Sequence, residues 1–172
     1  MAALFEETGR YIAMRFLVKP LDFPNAFMYG AGHGGVEAML LCGVASISNV
    51  ASAVMINSGT MSAQLATLDA EKAADTAAAL SALWTTPSLT FFAGGVERII
   101  AVVLHLSLSI LVFQSIRKKS QKDLLNAYLF HFVVDSLSVL LSAVASVWVV
   151  ELVTALVTGG AVLMAKYACM EE

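Results

Sequence analysis

Charge is what this sequence has least of. Only 13% of its 172 residues are charged and 59% are hydrophobic, whereas a soluble domain carries about 25% charged residues. Basic residues interleaved with aromatic ones are missing too, which excludes nucleic acid as a partner. The two cysteines are too few for a disulfide framework. Glu6 and Glu7 stand where a signal peptide would carry basic residues. The composition therefore predicts an all-α polytopic protein, integral to the membrane, with membrane lipid as a partner.

Long apolar segments predict about five transmembrane helices, since about 20 apolar residues cross a bilayer. They cover residues 2–18, 26–56, 89–116, 124–150 and 152–168. The polar interval 57–88 has an alanine-rich middle, residues 62–83, which predicts one interfacial helix. With no internal repeat and no linker, residues 1–172 are expected to form a single integral membrane domain. Because the chain begins inside a helical pattern, we expect N-terminal helices of a longer fold to be missing.

Basic residues predict the orientation in the membrane. If the five segments alternate in direction, Arg15, Lys19, residues 117–122 and Lys166 fall on one side, and the interval 57–88 falls on the other. Cytoplasmic loops are enriched in lysine and arginine. The side that carries the basic residues is therefore expected to be cytoplasmic.

Four glycines lie among residues 30–35, at the start of the second apolar segment. Each glycine inside a helix costs roughly 1 kcal/mol relative to alanine. Gly30 and Gly34 form the small-xxx-small pattern that lets membrane helices approach closely. His33 and Glu37 are set into this surface four residues apart, and so on one face of the helix. The pattern predicts close helix packing beside an ionisable pair.

Ionisable side chains recur four residues apart within the predicted segments. The pairs are Glu6 with Arg10, His33 with Glu37, and His131 with Asp135. Counted at about 1.5 Å per residue from the cytoplasmic side, His33 and His131 lie about 12 Å deep, His105 about 18 Å and Glu6 about 20 Å. We therefore expect these four side chains to share one layer of the membrane. Glu97 and Arg98, at about 30 Å, are expected to lie outside it.

Such a layer has the groups for peptide hydrolysis. A carboxylate and an imidazole can activate water, with the carboxylate taking its proton, and a second imidazole can stabilise the resulting oxyanion. No metal and no cofactor are predicted, because the HExxH motif is absent. The alternative is zinc bound by His33, His105 and His131. A transport or ligand-binding protein and purely structural contacts between helices are the other interpretations, and transport is disfavoured by the lack of an inverted repeat.

Four segments, in this order, resemble the YhfC-type branch of the CAAX-protease and bacteriocin-processing superfamily of intramembrane proteases. They are residues 5–10 (FEETGR), 29–38 (YGAGHGGVEA), 97–98 (ER) with His105, and 131–135 (HFVVD). The superfamily motifs are EExxxR, FxxxH and HxxxN. Here the first motif is one residue shorter, Tyr29 replaces phenylalanine, and Asp135 replaces the frequent asparagine.

The resemblance implies a catalytic set and a supporting set of residues. The catalytic residues would be Glu6, His33, His131 and Asp135, and the supporting residues Glu7, Arg10, Glu37 and His105. Glu6 would be the catalytic glutamate, positioned by Arg10. His33 would activate water with Glu6, and His131 with Asp135 would form the oxyanion site.

The implied activity is that of an intramembrane endopeptidase of the glutamate type, which needs no metal. Its substrate would be a membrane-associated peptide or protein, and its location a bacterial or archaeal plasma membrane. The alternatives are a transport or ligand-binding protein that uses the same polar layer, and an inactive homologue of the proteases.

Overall fold

The structure, a computed structural model, describes residues 2–170, and these contain helices and no strand. The helices are α1 (Ala2–Phe16), α2 (Phe23–Ala38), α3 (Val44–Asn57), α4 (Thr60–Leu65), α5 (Ala70–Thr85), α6 (Ser88–Lys118), α7 (Gln121–Ser142) and α8 (Val147–Met170). One π-helical turn, Met39–Gly43, joins α2 to α3 without a break. The all-α prediction is confirmed.

Four stretches of helix among residues 2–170 are long and apolar enough to cross a membrane. They are Phe23–Asn57, Ser88–Lys118, Gln121–Ser142 and Val147–Met170. The chain is therefore a polytopic membrane protein, as predicted. The first predicted transmembrane segment, residues 2–18, is not among them, because its helix α1 has only 15 residues. At about 1.5 Å per residue α1 is about 22 Å long, which is shorter than a hydrocarbon core of about 30 Å.

Helix α6 lies at the centre of the bundle and packs against α1, α2, α7 and α8. The buried apolar cluster includes Leu108, Leu111 and Val112 of α6 together with Met14 of α1. Large apolar side chains on the outer faces of the helices are exposed, for example Leu152 of α8. In a membrane protein these outward side chains face lipid, so the polar groups described below are carried on the inward faces.

The polar interval differs from the prediction of one interfacial helix over residues 62–83. The structure has two helices, α4 and α5, separated by residues 66–69. Asp69 caps α5, because its side chain accepts a hydrogen bond from the backbone N–H of Lys72 at 2.9 Å. An aspartate that accepts from a free backbone N–H in this way marks the start of a helix. The predicted single helix is therefore divided in two at Asp69.

The boundary between the last two predicted segments is also wrong. The predicted segments 124–150 and 152–168 meet at Glu151, but α7 ends at Ser142 and α8 begins at Val147. The backbone carbonyl of Ser146 accepts the N–H groups of Val149 and Val150, which starts the first turn of α8. Glu151 is consequently an interior residue of α8, and it is buried.

Candidate active site

The predicted layer of ionisable groups forms where four helices meet. Glu6 comes from α1, His33 from α2, His105 from α6 and His131 from α7. The ring centroids of His33 and His105 are 4.7 Å apart, and those of His105 and His131 are 5.4 Å apart. The three histidines of the chain therefore form one contiguous group, as their similar depths predicted.

Glu6 contacts two of these histidines. Its Oε2 lies 3.1 Å from Nε2 of His33 and 3.7 Å from Nε2 of His131. About a third of the Glu6 side chain is exposed. Glu6 therefore combines contact with two imidazoles and access from outside the packed core.

Glu7, the next residue, has the opposite environment. Glu7 and Arg10 are both fully buried, and Oε1 of Glu7 lies 3.3 Å from Nη2 of Arg10. Arg10 also donates to the backbone oxygen of His105 at 2.9 Å and to Oγ of Ser109 at 3.1 Å. The predicted pairing of Arg10 with Glu6 is wrong. Arg10 and Glu7 turn inward towards α6, whereas the face of α1 that carries Glu6 turns towards a cavity.

The buried pair fixes opposite proton positions on two histidines. Nδ1 of His131 lies 2.7 Å from Oε1 of Glu7, and an ionised carboxylate only accepts, so neutral His131 carries its proton on Nδ1 and leaves Nε2 free to accept. Nδ1 of His105 lies 2.7 Å from Nη2 of Arg10, and a guanidinium only donates. Neutral His105 therefore carries its proton on Nε2, which faces Oε2 of Glu37 at 2.6 Å.

Two predictions about Glu37 and its surroundings need correction. Glu37 bonds to His105 and not to His33, and its Oε1 accepts from Nη1 of Arg98 at 3.1 Å. Arg98, which we had placed outside the layer together with Glu97, is thus attached to it, and Arg98 also binds Glu97. Arg98 and His105 are seven residues, or two helical turns, apart and share one face of α6. This spacing indicates in the sequence that Arg98 belongs with His105, whereas the estimate of depth in the membrane separated them.

Asp135 lies beside His131, as predicted. Its Oδ1 is 3.6 Å from Nε2 of His131, and its side chain is partly exposed. Nε2 of His131 thus lies between two carboxylates, those of Glu6 and Asp135. The catalytic roles of these residues stay predictions, but the structure places them together.

A cavity of about 880 Å³ opens beside the group. Its lining comes from α1, α2, α6, α7 and α8 and from the segments next to them. The ionisable residues of the lining are Glu6, Glu37, Glu97, Arg98, His105, His131, Asp135 and Glu151. The sequence analysis did not predict Glu151 as a site residue, because it fell between the predicted segments 124–150 and 152–168.

A second cavity, of about 600 Å³, is also lined by Glu6 and Glu37. Its lining also includes His33 and Tyr29. The candidate site therefore borders two cavities.

Four side chains of the group could hold a metal ion. One ligand atom from each of Glu6, His33, Glu37 and His105 lies within 4.8 Å of all the others. This differs from the predicted zinc alternative, in which the three histidines were the ligands. His131 is outside the set because its Nδ1 is turned to Glu7 and its Nε2 lies beside Asp135.

Comparison with known proteins gives two matches. Residues 1–154 match a protein-family model described as "YhfC intramembrane metalloprotease". The chain is similar to a protein of Bacillus subtilis (strain 168) named "Uncharacterized membrane protein YhfC", with 39% identity over 132 residues. That match covers 76% of this chain and 50% of the relative, so the chain spans about half the length of the curated relative that it matches. No solved structure gives a significant match.

Proposed function

Because the chain belongs to the YhfC family, whose model is described as an intramembrane metalloprotease, we propose that it is an intramembrane endopeptidase in which Glu6 takes a proton from the attacking water. The observation that carries the proposal is the contact of Glu6 with His33 at 3.1 Å on the wall of the smaller cavity, which both residues line. A general base must lie within hydrogen-bonding reach of the water that it activates, and Glu6 is a partly exposed carboxylate that lies near two histidines. Membership of the wider CAAX-protease superfamily remains a prediction.

The reaction begins when Glu6 accepts a proton from water that also contacts His33. The water oxygen then attacks the carbonyl carbon of the scissile peptide bond, and the carbonyl oxygen becomes an oxyanion. His131 can serve that oxyanion only through Nε2, because its Nδ1 proton is committed to Glu7. Oε2 of Glu6 lies 3.7 Å from this Nε2, slightly beyond hydrogen-bonding distance, so the two groups pass the proton after a small approach.

The second half of the reaction breaks the peptide bond. The imidazolium of His131 lies between Glu7 and Asp135, which stabilise its positive charge. When the oxyanion collapses, the carbon–nitrogen bond breaks and His131 returns the proton to the leaving amine. The products are a free amine and a carboxylic acid, and Glu6 and His131 regain their starting forms.

A divalent ion such as zinc fits the residues present, because carboxylate oxygens and imidazole nitrogens are its usual ligands and four such atoms converge here. Catalytic zinc has three protein ligands and one open position. We propose His33, Glu37 and His105 as the ligands, which leaves Glu6 as the base. The ion would supply Lewis acidity that polarises the peptide carbonyl. A neutral His105 that bound the ion through Nε2 would carry its proton on Nδ1, so its contact with the donating Nη2 of Arg10 would have to rearrange.

The family description and this donor set favour metal dependence over the metal-free form that the sequence predicted. The glutamate remains the base in either form. The proposed substrate is a membrane-associated peptide or protein, because Glu6 lines two cavities within a bundle whose outer side chains face lipid.

The test is cleavage of a quenched fluorescent peptide library by the purified chain in detergent, with metal content measured on the same sample. We expect cleavage, about one metal ion per chain, and loss of activity on chelation that added zinc restores. Activity that survives complete chelation would assign the metal-free glutamate type. Absence of cleavage by a chain with a normal thermal melt would contradict the peptidase function.

A further inference from the structure

Glu151 is a buried carboxylate that the proposed reaction does not use. It lies on α8 and only 7% of it is exposed, and its Oε2 makes no hydrogen bond. The same residue lines the 880 Å³ cavity that holds Glu6 and His131. A carboxylate oxygen that is buried and unpaired is costly in free energy. The cavity therefore has room for a bound group that could bond to this oxygen.

The charge of the cavity wall indicates the sign of that partner. The lining contains five carboxylates and one guanidinium, from Glu6, Glu37, Glu97, Asp135, Glu151 and Arg98. The guanidinium bonds through its Nη atoms to two of the carboxylates, Glu37 and Glu97, and its buried Nε–H makes no hydrogen bond, so one positive group faces five negative ones. Glu6 and Asp135 lie against histidines. Glu151 is left with an unsatisfied oxygen, and a cation entering the cavity would satisfy it.

The distance of Glu151 from the reacting groups follows from the packing of α6 against α8. The tilted rings of Phe92 and Trp148 lie 6.4 Å apart, and Gln114 donates to Cys169, so α8 residues are level with α6 residues about 55 positions earlier in the chain. Glu151 is thus level with the α6 residues next to Glu97, about nine residues from the level of His105. At about 1.5 Å per residue this is about 14 Å along the bundle. An extended peptide spans that distance with about four residues.

From these observations we propose that Glu151 is a specificity residue that binds a lysine or arginine side chain of the substrate, about four residues from the scissile bond. The inference rests on the proposed peptidase function and deepens it. A substrate ammonium or guanidinium group would pair with a carboxylate that is shielded from bulk solvent, where such a pair is stronger than in water. A neutral or acidic side chain at that position would leave the carboxylate unpaired, so the site rejects as well as attracts.

The experiment compares peptides that differ at one position. Peptides with lysine, norleucine or glutamate are placed in turn three to five residues from the cleaved bond, on either side, and kcat/KM is measured for each. We expect lysine to be favoured over norleucine about tenfold at one of these positions. Glu151→Gln should abolish the preference, and Glu151→Lys should shift it towards the glutamate peptide. Glu71→Gln is the matched control, since it removes an exposed carboxylate outside the cavity and should keep the preference.

A binding measurement separates this inference from the peptidase function. Fluorescence anisotropy with the same peptides is read on the Glu6→Gln variant and on the Glu6→Gln, Glu151→Gln double variant. Tighter binding of the lysine peptide that depends on Glu151, without cleavage by the unaltered chain, would support the cationic site and contradict the peptidase. Cleavage and binding that are equal for the three peptides would overturn the cationic site and leave the peptidase standing. Cleavage that needs both Glu151 and added sodium, and that is equally fast for the three peptides, would also overturn the cationic side-chain site, because Glu151 would then bind a sodium ion.

Discussion

Two adjacent glutamates on α1 have different tasks because a helix turns successive side chains about 100° apart. Glu7 is fully buried and joins Arg10 to His131, whereas Glu6 is partly exposed and meets His33 at the cavity. Glu7 holds the proton of His131 on Nδ1, and so prepares Nε2 for the proton that Glu6 collects. One carboxylate is therefore the proposed base, and its neighbour positions the histidine that receives the proton.

We expect Glu6→Gln to lower turnover at least 100-fold at an unchanged thermal melt, because the amide keeps the size of the side chain but cannot accept the proton. Glu7→Gln should instead lower the melting temperature, because it leaves the charge of Arg10 buried without its partner, a change that costs about 3–5 kcal/mol. Turnover and melts of both variants, with Glu71→Gln as the control, test this. If Glu6→Gln stayed active and Glu7→Gln were inactive but stable, the base would be on the other face of α1.

At the scale of single residues, the sequence predicted which ionisable groups meet but not all of their partners. Spacing and depth brought Glu6, His33, His105 and His131 together correctly. They failed for Arg10, whose long side chain is equally able to pair at i−3 or i−4, so that burial against α6 decided in favour of Glu7. Such choices depend on the neighbouring helix, which the local pattern does not contain.

At the scale of elements, the glycines of α2 decide how closely it approaches α6. A Cβ atom built on Gly30 would lie 2.8 Å from Cα of Leu106 and 2.9 Å from the backbone oxygen of His105. One built on Gly34 would lie 3.0 Å from Cα of Val102. The predicted close approach at Gly30 and Gly34 is confirmed. It brings Glu37 within reach of His105, so the spacing of these two helices sets the geometry of the candidate site.

Alanine substitutions on the two faces of α2 should therefore act in opposite directions. Gly30→Ala pushes backbone against backbone, so we expect a loss of about 1–3 kcal/mol or more in unfolding free energy, with reduced turnover. Gly32→Ala meets no atom within 4 Å and should gain up to about 1 kcal/mol from helix propensity. Thermal melts in the same detergent compare the two. Equal melting temperatures would mean that α2 and α6 can separate at little cost.

Element boundaries followed the apolar pattern where turns carried clear signals. Asp22 caps α2 by accepting from the backbone N–H of Asn25, close to where the sequence placed the start of that segment. The pattern failed at Glu151, since an apolar run broken by one charge reads the same for a loop and for a helix that buries the charge. Which of the two applies depends on whether a cavity lies beside the residue, and that is a property of the assembled bundle.

At the scale of the whole molecule, the basic residues gather at one end of the bundle. Lys118, at the end of α6, donates to the backbone oxygen of Ala168, near the end of α8. Both helices thus finish at the same end, where α7 begins after a connection of two residues. Residues 58–87 and the turn at 143–146 lie at the opposite ends of the transmembrane helices. This arrangement is the one that alternating segments predicted, and the side of the membrane on which each end lies stays a prediction.

That orientation can be tested with one cysteine at each end of the bundle. Lys122 and Glu71 are exposed, and each is changed to cysteine in a background with Cys42→Ala and Cys169→Ser, the serine keeping an acceptor for Gln114. Because lysine and arginine mark the cytoplasmic side, we expect an impermeant maleimide to label Glu71→Cys on intact cells. Lys122→Cys should react only after the cells are opened, and that reaction also proves that the thiol is accessible. Labelling of Lys122→Cys on intact cells would reverse the orientation and place the basic end outside.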